Sequence, residues 1–271
     1  MTYFGFLLCF LVTPIIVLGG VALMDRRRGA ARPAALRGWP LWAATLLHVV
    51  IAVVYTTAWD NYLVATGVWS YDPALVTGIT IGWVPLEEYT FFVLQPILAG
   101  AWLLLLMRRL RLGAEPLPSQ SWFRLIPVIA LAGLWLMSLA VLLAGWRQGT
   151  YLALQLVWAL PPLAAQVGFG GDILARYGRL VGLSIVPLTL YFSAADALAI
   201  GQGIWAINPA TSLPLLIGGV LPIEEFLFFL LTNTLVTFGI VLTLARESRH
   251  RLQAVWHQVI PLRINQGERE P

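Results

Sequence analysis

Two short segments of this chain set paired carboxylates in apolar surroundings: PLEEYTFF at 85–92 and PIEEFLFF at 222–229. An acidic residue at the centre of a membrane helix costs about 2.5–3.5 kcal/mol even on permissive scales, so Glu87, Glu88, Glu224 and Glu225 need strong partners or a task. One bland alternative is that each proline starts a helix whose first-turn glutamates complement the macrodipole. Duplication favours a task, because helical spacing repeats the same faces in both copies. Glu87 aligns with Phe91, and Glu88 with Phe92 and Gln95; Glu224 aligns with Phe228, and Glu225 with Phe229 and Thr232. Upstream, Asp60 and Asp196 each follow a tyrosine (Tyr55, Tyr191) by five residues and precede a tryptophan (Trp69, Trp205) by nine. The two tryptophans suit either a substrate pocket or an interfacial aromatic belt. A carboxyl in an apolar pocket favours its neutral form, the more so beside a second carboxylate, so one member can hold a proton while another accepts one. Aromatic faces stabilise a cation without attacking it. Acid, base and π-faces together equip a site to protonate an alkene and manage a carbocation.

The elements that must position these residues are membrane helices. Of 271 residues, 59% are apolar or aromatic and only 11% are charged, and the charges cluster so that long uncharged runs remain. Seven apolar stretches are read at about 3–24, 41–59, 77–107, 124–145, 150–169, 180–199 and 213–245. The fold class expected is all-α and polytopic. Arg26, Arg27 and Arg28 follow the first stretch, the reverse of a secretion signal's charged start, so that stretch is expected to stay as an anchor. With the N-terminus outside, sixteen of seventeen arginines fall on the inner side and only Arg147 outside, which predicts an N-out, C-in topology in the cell membrane. The tail after Leu244 reads as solvated, or with Leu252 to Ile260 as a short amphipathic helix on the inner leaflet.

Composition also excludes chemistries. No lysine is present, so a Schiff base, and with it retinal, is ruled out. The single Cys9 forms no intrachain disulfide, and His48, His250 and His257 are too scattered for a metal motif. His48 reads as a polar interhelical contact. The net charge of +4 resides in arginines bordering apolar runs, which marks a membrane face rather than a nucleic-acid site.

The chain repeats itself. Thr2, Tyr3 and Pro14 recur 148 residues later as Thr150, Tyr151 and Pro162; Tyr55, Asp60, Gly67, Trp69 and Pro73 recur 136 later as Tyr191, Asp196, Gly203, Trp205 and Pro209. Pro85, Glu87, Glu88, Phe91 and Phe92 recur 137 later. Each half is therefore three helices, and the stretch at 124–145 restores the direction so that the halves run parallel as a 3+1+3 bundle with its site at their interface. The expected units are 1–112, a linking helix in 113–147, a second repeat at 148–247 and a basic tail at 248–271.

The doubled PxEE with trailing FF, the preceding D…GxW segments and the three-helix repeats resemble the membrane-bound lycopene cyclases, found as two small subunits in actinobacteria and fused in archaea, other bacteria and fungal bifunctional proteins. The resemblance covers residues 1–246, and no phytoene synthase domain follows, so the chain looks like the stand-alone fused form. It implies cyclisation of the acyclic ends of lycopene by protonation, ring closure and proton loss, without cofactor or metal. It further implies that Glu87, Glu88, Glu224 and Glu225 supply acid and base, tuned by Asp60 and Asp196. Phe91, Phe92, Phe228, Phe229, Tyr55, Tyr191, Trp69 and Trp205 would line the substrate. No GxGxxG fingerprint follows a plausible strand. The implied partners are a carotenoid, the bilayer and other carotenoid enzymes. A cyclase of C50 carotenoids, or one making ε- or γ-rings, would share this machinery. The rival from another class is a small 3+1+3 transporter, since paired intramembrane acids also relay protons. Against it, the candidate site is rich in aromatics and poor in groups that bind a polar solute.

Overall fold

A computed structural model of the chain describes residues 1–110 and 121–259, the side chains of 255–259 excepted. The expectations that touch Arg111, Ile260, Arg263, Arg269 and the 112/113 boundary lie outside the described residues. Seven of the described helices are long and apolar enough to span a bilayer: α1 (Tyr3–Arg27), α2 (Leu41–Ala65), α3 (Leu86–Arg109), α4 (Trp122–Leu143), α5 (Thr150–Arg176), α6 (Gly178–Gly201) and α7 (Ile223–Leu244). The chain is an all-α polytopic membrane protein. Within each span the helix satisfies most of its own backbone, as a chain without water around it must. Ile16, Val17, Trp42, Val54 and Leu143 turn outward and meet lipid.

The third and seventh stretches start later as helices than their hydropathy suggests. Residues before each proline form hairpins instead: β2 (Thr80–Ile81) pairs with β3 (Val84–Pro85), and β5 (Leu216–Ile217) with β6 (Leu221–Pro222). The cause is local. Gly82 sits at φ +68°, and a Cβ there would lie 2.2 Å from Asn61 Oδ1, so only glycine completes this turn. Pro85 and Pro222 then occupy the N-cap positions, and no proline kink lies beside the glutamates. A third ribbon joins the halves: β1 (Trp69–Tyr71) runs antiparallel to β4 (Trp205–Ile207) with Tyr71 opposite Trp205.

Helices α3 and α7 form the centre. Each packs against the helix before it, against the first helix of its own half, and against the middle helix of the other half. Gln95 joins them by donating to Thr232 Oγ1 (3.0 Å) and Asn233 Oδ1 (3.3 Å). Helix α4 packs chiefly on α5 and buries only Ser138.

Two repeat-related straps cross between the halves. Pro14 and Pro162 have no N–H to give the carbonyl four residues back. Those carbonyls, Phe10 O and Trp158 O, accept instead the hydroxyls of Tyr191 (2.9 Å) and Tyr55 (2.8 Å) from the opposite half. The recurring Pro and Tyr of the sequence are thus two ends of one bond, made twice. At the arginine-rich end, Asp25 pairs with Arg109 (2.9 Å) and Asp172 with Arg251 (2.6 Å), and Glu247 meets Arg176. These ties correct the solvated tail: α8 (Arg246–Val259) is helical from Arg246 and its first half is bound to the bundle.

Candidate active site

The proline N-caps aim the two glutamates of each pair in different directions. Glu87 Oε1 accepts the backbone N–H of Thr77 (2.7 Å), and Glu224 Oε1 that of Leu213 (2.6 Å). Thr77 and Leu213 are repeat mates, so the first glutamate of each pair ties its hairpin segment to the helix start. The second turns inward. Glu88 Oε2 accepts the hydroxyls of Tyr3 (2.5 Å) and Tyr71 (3.0 Å), and Glu225 Oε1 accepts that of Tyr151 (2.6 Å). Tyr3 and Tyr151 are held there by their own backbone N–H groups, which donate to Leu75 O (2.8 Å) and Thr211 O (2.9 Å), again repeat mates.

Asp60 and Asp196, buried near the ends of α2 and α6, complete the cluster. Glu88 lies within electrostatic reach of Asp60, Asp196 and Glu225, Asp196 also of Glu225, and each of the four is at most 3% exposed. Trp205 Nε1 donates to Asp196 Oδ1 (2.8 Å), while Trp69 Nε1 and Asp60 Oδ2 are buried without a partner. The halves are therefore alike but not identical. Tyr71 has Ile207 as its repeat mate, so only Glu88 receives two hydroxyls. Burial, with Asp60 and Glu88 nearby, holds the Tyr71 phenol well above its ordinary range, so it stays a donor.

Beside Glu88 is a small chamber of about 10 Å³ walled by Trp69, Trp205, Phe91, Phe192, Phe228 and Phe229. Phe228 stands at its edge, stacked on Trp59 (5.9 Å between centroids) and edge-on to Trp69 (6.2 Å). Carboxyls with free oxygens, hydroxyl donors and π-faces meet in a space without room for bulk water. A proton can be delivered there and an incipient cation stabilised by quadrupoles and carboxylate charge.

The expected residues are thus sorted. Asp60, Glu88, Asp196 and Glu225 gather with Trp69, Trp205, Phe91, Phe228 and Phe229. Phe91 lines the chamber with Glu88 rather than following Glu87, because a neighbour three positions on shares the face as well as one four on. Phe92 turns to a groove on the lipid side. Tyr55 and Tyr191 serve the straps and do not reach the carboxyls. Trp69 and Trp205 are 5% and 4% exposed, which removes them from an aromatic belt; among the described residues the exposed indoles are Trp39, Trp42 and Trp122 at one end and Trp83 and Trp146 at the other. His48 Nδ1 lies 2.7 Å from Ala44 O on its own helix, so its bond is intrahelical rather than interhelical. Sequence reading passed over Tyr3, Tyr71 and Tyr151. Two of these carried a signal, their recurrence at the same offset as Pro14 and Pro162; Tyr71 carried none.

Comparison with known proteins gives this site its context. The family described as lycopene cyclase matches residues 1–106 and 148–243, two blocks that together hold every residue of the cluster. This chain belongs to the lycopene cyclase family. A lycopene beta-cyclase of Halobacterium salinarum is 33% identical over 241 residues, covering 89% of this chain and 95% of that protein. Bifunctional lycopene cyclase/phytoene synthases are similar over part of their length. That of Colletotrichum graminicola is 39% identical over 209 residues, 72% of this chain and 34% of the relative. That of Sporisorium reilianum is 34% identical over 218 residues, 76% and 32% of the respective chains. No solved structure matches the chain.

Proposed function

We propose that this protein is a lycopene β-cyclase of the carotenoid pathway, an intramolecular lyase or isomerase that closes β-rings at the acyclic ends of lycopene. The observation that carries this reading is the burial of Glu88 and Glu225, one from each half, near Asp196, with Glu88 lining an aromatic chamber. In the reaction, a carboxyl adds a proton to C2 of the end group and leaves a cation at C1. The C5=C6 π-pair attacks C1, forming the ring bond and moving the cation to C5. Loss of the C6 proton to a carboxylate restores the C5=C6 double bond. The proton taken equals the proton returned, so no electrons are exchanged and no redox cofactor is called for.

Glu88 and Glu225 are assigned as the proton-handling pair. Tyr3, Tyr71 and Tyr151 position their oxygens, and the hydrogen bonds solvate negative charge when it appears there. Trp69, Trp205, Phe91, Phe228 and Phe229 face the cation. Glu87 and Glu224 hold the hairpin segments against the helix starts. Recurrence of the straps, hairpin ties and tyrosine bonds at the repeat offsets supports two parallel three-helix units, 1–112 and 148–247, joined by a linking helix in 113–147. The arginine bias supports an N-out, C-in orientation in the cell membrane, with the carboxyl cluster toward the outer face.

Expression in a lycopene-accumulating bacterium tests the reading. The expected product is bicyclic with two β-rings, and the Glu88→Gln, Glu225→Gln double variant is expected to leave lycopene unchanged at equal membrane abundance. Ring formation by that variant would remove the pair from the mechanism.

A further inference from the structure

The repeat predicts two equivalent lipid-facing grooves, and the structure has both. One, of about 150 Å³, opens between α2 and α5; its mate, of about 310 Å³, opens between α6 and α1. Pro14, Leu18, Pro187 and Tyr191 line the mate where Pro162, Gln166, Ile51 and Tyr55 line the first. Their depths differ. The α2–α5 groove reaches Phe228, which also walls the glutamate chamber, whereas the mate shares no lining residue with that chamber.

One exchange between the halves accounts for the difference. Thr56 lines the deep groove, and its repeat mate is Phe192. The Phe192 ring is 1% exposed, stacks on Phe229 at 5.5 Å and meets Phe91 edge-on at 6.0 Å. It fills the space that Thr56 leaves free on the other side. The deep groove also runs on. A cavity of about 460 Å³ adjoins it through His48, Ile51 and Gln166 and continues to Trp39 near α8. From Thr56 back to Leu47 the combined trough follows α2 for about 14 Å at the helical rise, and Trp39, ahead of that helix, lines its far end. An apolar trough ending on an aromatic ring beside an acid matches an extended isoprenoid chain lying along the helices with its end at the acid.

We propose that the α2–α5 trough is the one seat for the polyene, that its end passes Phe228 to reach Glu88 and Glu225, and that Phe192 closes the equivalent route opposite. The two ends of a symmetric polyene are then cyclised in turn at one site, with the monocyclic form released between closures. This rests on the cyclase reading above.

Two pairs of variants test it. Ile51 and Val17 are 48% and 58% exposed and line the trough and its mate respectively, so tryptophan at either place fills a groove from the lipid side without disturbing the core. Thr56→Phe copies the plug, and Leu18→Phe adds a ring in the mate groove instead. Lycopene retained per mole of protein purified from lycopene-rich membranes, and KM and kcat in proteoliposomes, are read for each. Ile51→Trp and Thr56→Phe are expected to lose at least tenfold in retained pigment and in kcat/KM, mainly through KM, while Val17→Trp and Leu18→Phe stay within twofold. With substrate in excess, monocyclic product should accumulate before bicyclic. Normal retention and turnover in both Ile51→Trp and Thr56→Phe, an equal loss in Val17→Trp, or bicyclic product without free monocyclic form would overturn the proposal. Pigment retention reports on the trough even if the wild-type chain closes no ring, an outcome that would instead overturn the cyclase reading.

Discussion

Adjacent glutamates with one motif between them are given unlike tasks by the direction each side chain leaves the helix start. Glu87 spends one oxygen on Thr77 N–H, a bond that an amide oxygen makes equally well, while Glu88 meets two phenols and the chamber. Glu87→Gln is therefore expected to keep ring-closing activity within about an order of magnitude, whereas Glu88→Gln abolishes it. The tyrosines grade the same site. A hydrogen bond to a charged group contributes about 1.5–3 kcal/mol, so Tyr3→Phe and Tyr151→Phe should each lower kcat by roughly ten- to a hundredfold. Single-turnover rates in proteoliposomes check both, and wild-type kcat in Tyr3→Phe and Tyr151→Phe would mean that the phenols do not support the carboxyls.

At the scale of elements, the hairpins decide where the glutamates sit. Had residues 77–85 continued as helix, Glu88 would lie about three turns inside the span, remote from Tyr71 and the β1–β4 ribbon. The turn at Gly82 prevents this, and Asn61 secures it by accepting Trp83 N–H (2.7 Å) and donating to Tyr89 (3.0 Å). Gly82→Ala must bear both the left-handed backbone and displacement of Asn61, a loss of about 1–3 kcal/mol. Gly145 has a similar φ, +71°, with open space around it, so Gly145→Ala bears the backbone cost alone, about 1–2 kcal/mol. Thermal unfolding in detergent, followed by circular dichroism, should rank Gly82→Ala below Gly145→Ala and both below wild type.

Across the whole molecule, the halves are locked by bonds that a helix-breaking residue makes available. Tyr191→Phe strands Phe10 O in a span where no water replaces the lost donor, at a cost of about 1–3 kcal/mol. Pro14→Ala supplies the missing N–H from within α1. The double variant Pro14→Ala, Tyr191→Phe should therefore recover most of the stability that Tyr191→Phe loses, a coupling readable in a double-mutant cycle of unfolding midpoints. Additive losses would mean that the strap bears no load between the halves.

Reading the chain residue by residue reached the seven apolar spans, the duplicated halves and the four carboxyls that gather, because hydropathy, charge spacing and repeat offsets are local properties that a helix in lipid must respect. It placed helix where hairpins lie, since an apolar run does not distinguish the two until turn glycines and a neighbour such as Asn61 intervene. It treated the glutamates of each pair as equals and missed their phenols, which come from 85 and 74 residues away. It likewise saw Pro14 and Tyr191 recur without seeing that Tyr191 binds the Phe10 carbonyl that Pro14 leaves free, 181 residues away. Those pairings, and the exchange of Thr56 for Phe192 that deepens one groove and plugs the other, follow from which helix faces touch. That is a property of packed shape, which the tertiary structure alone decides.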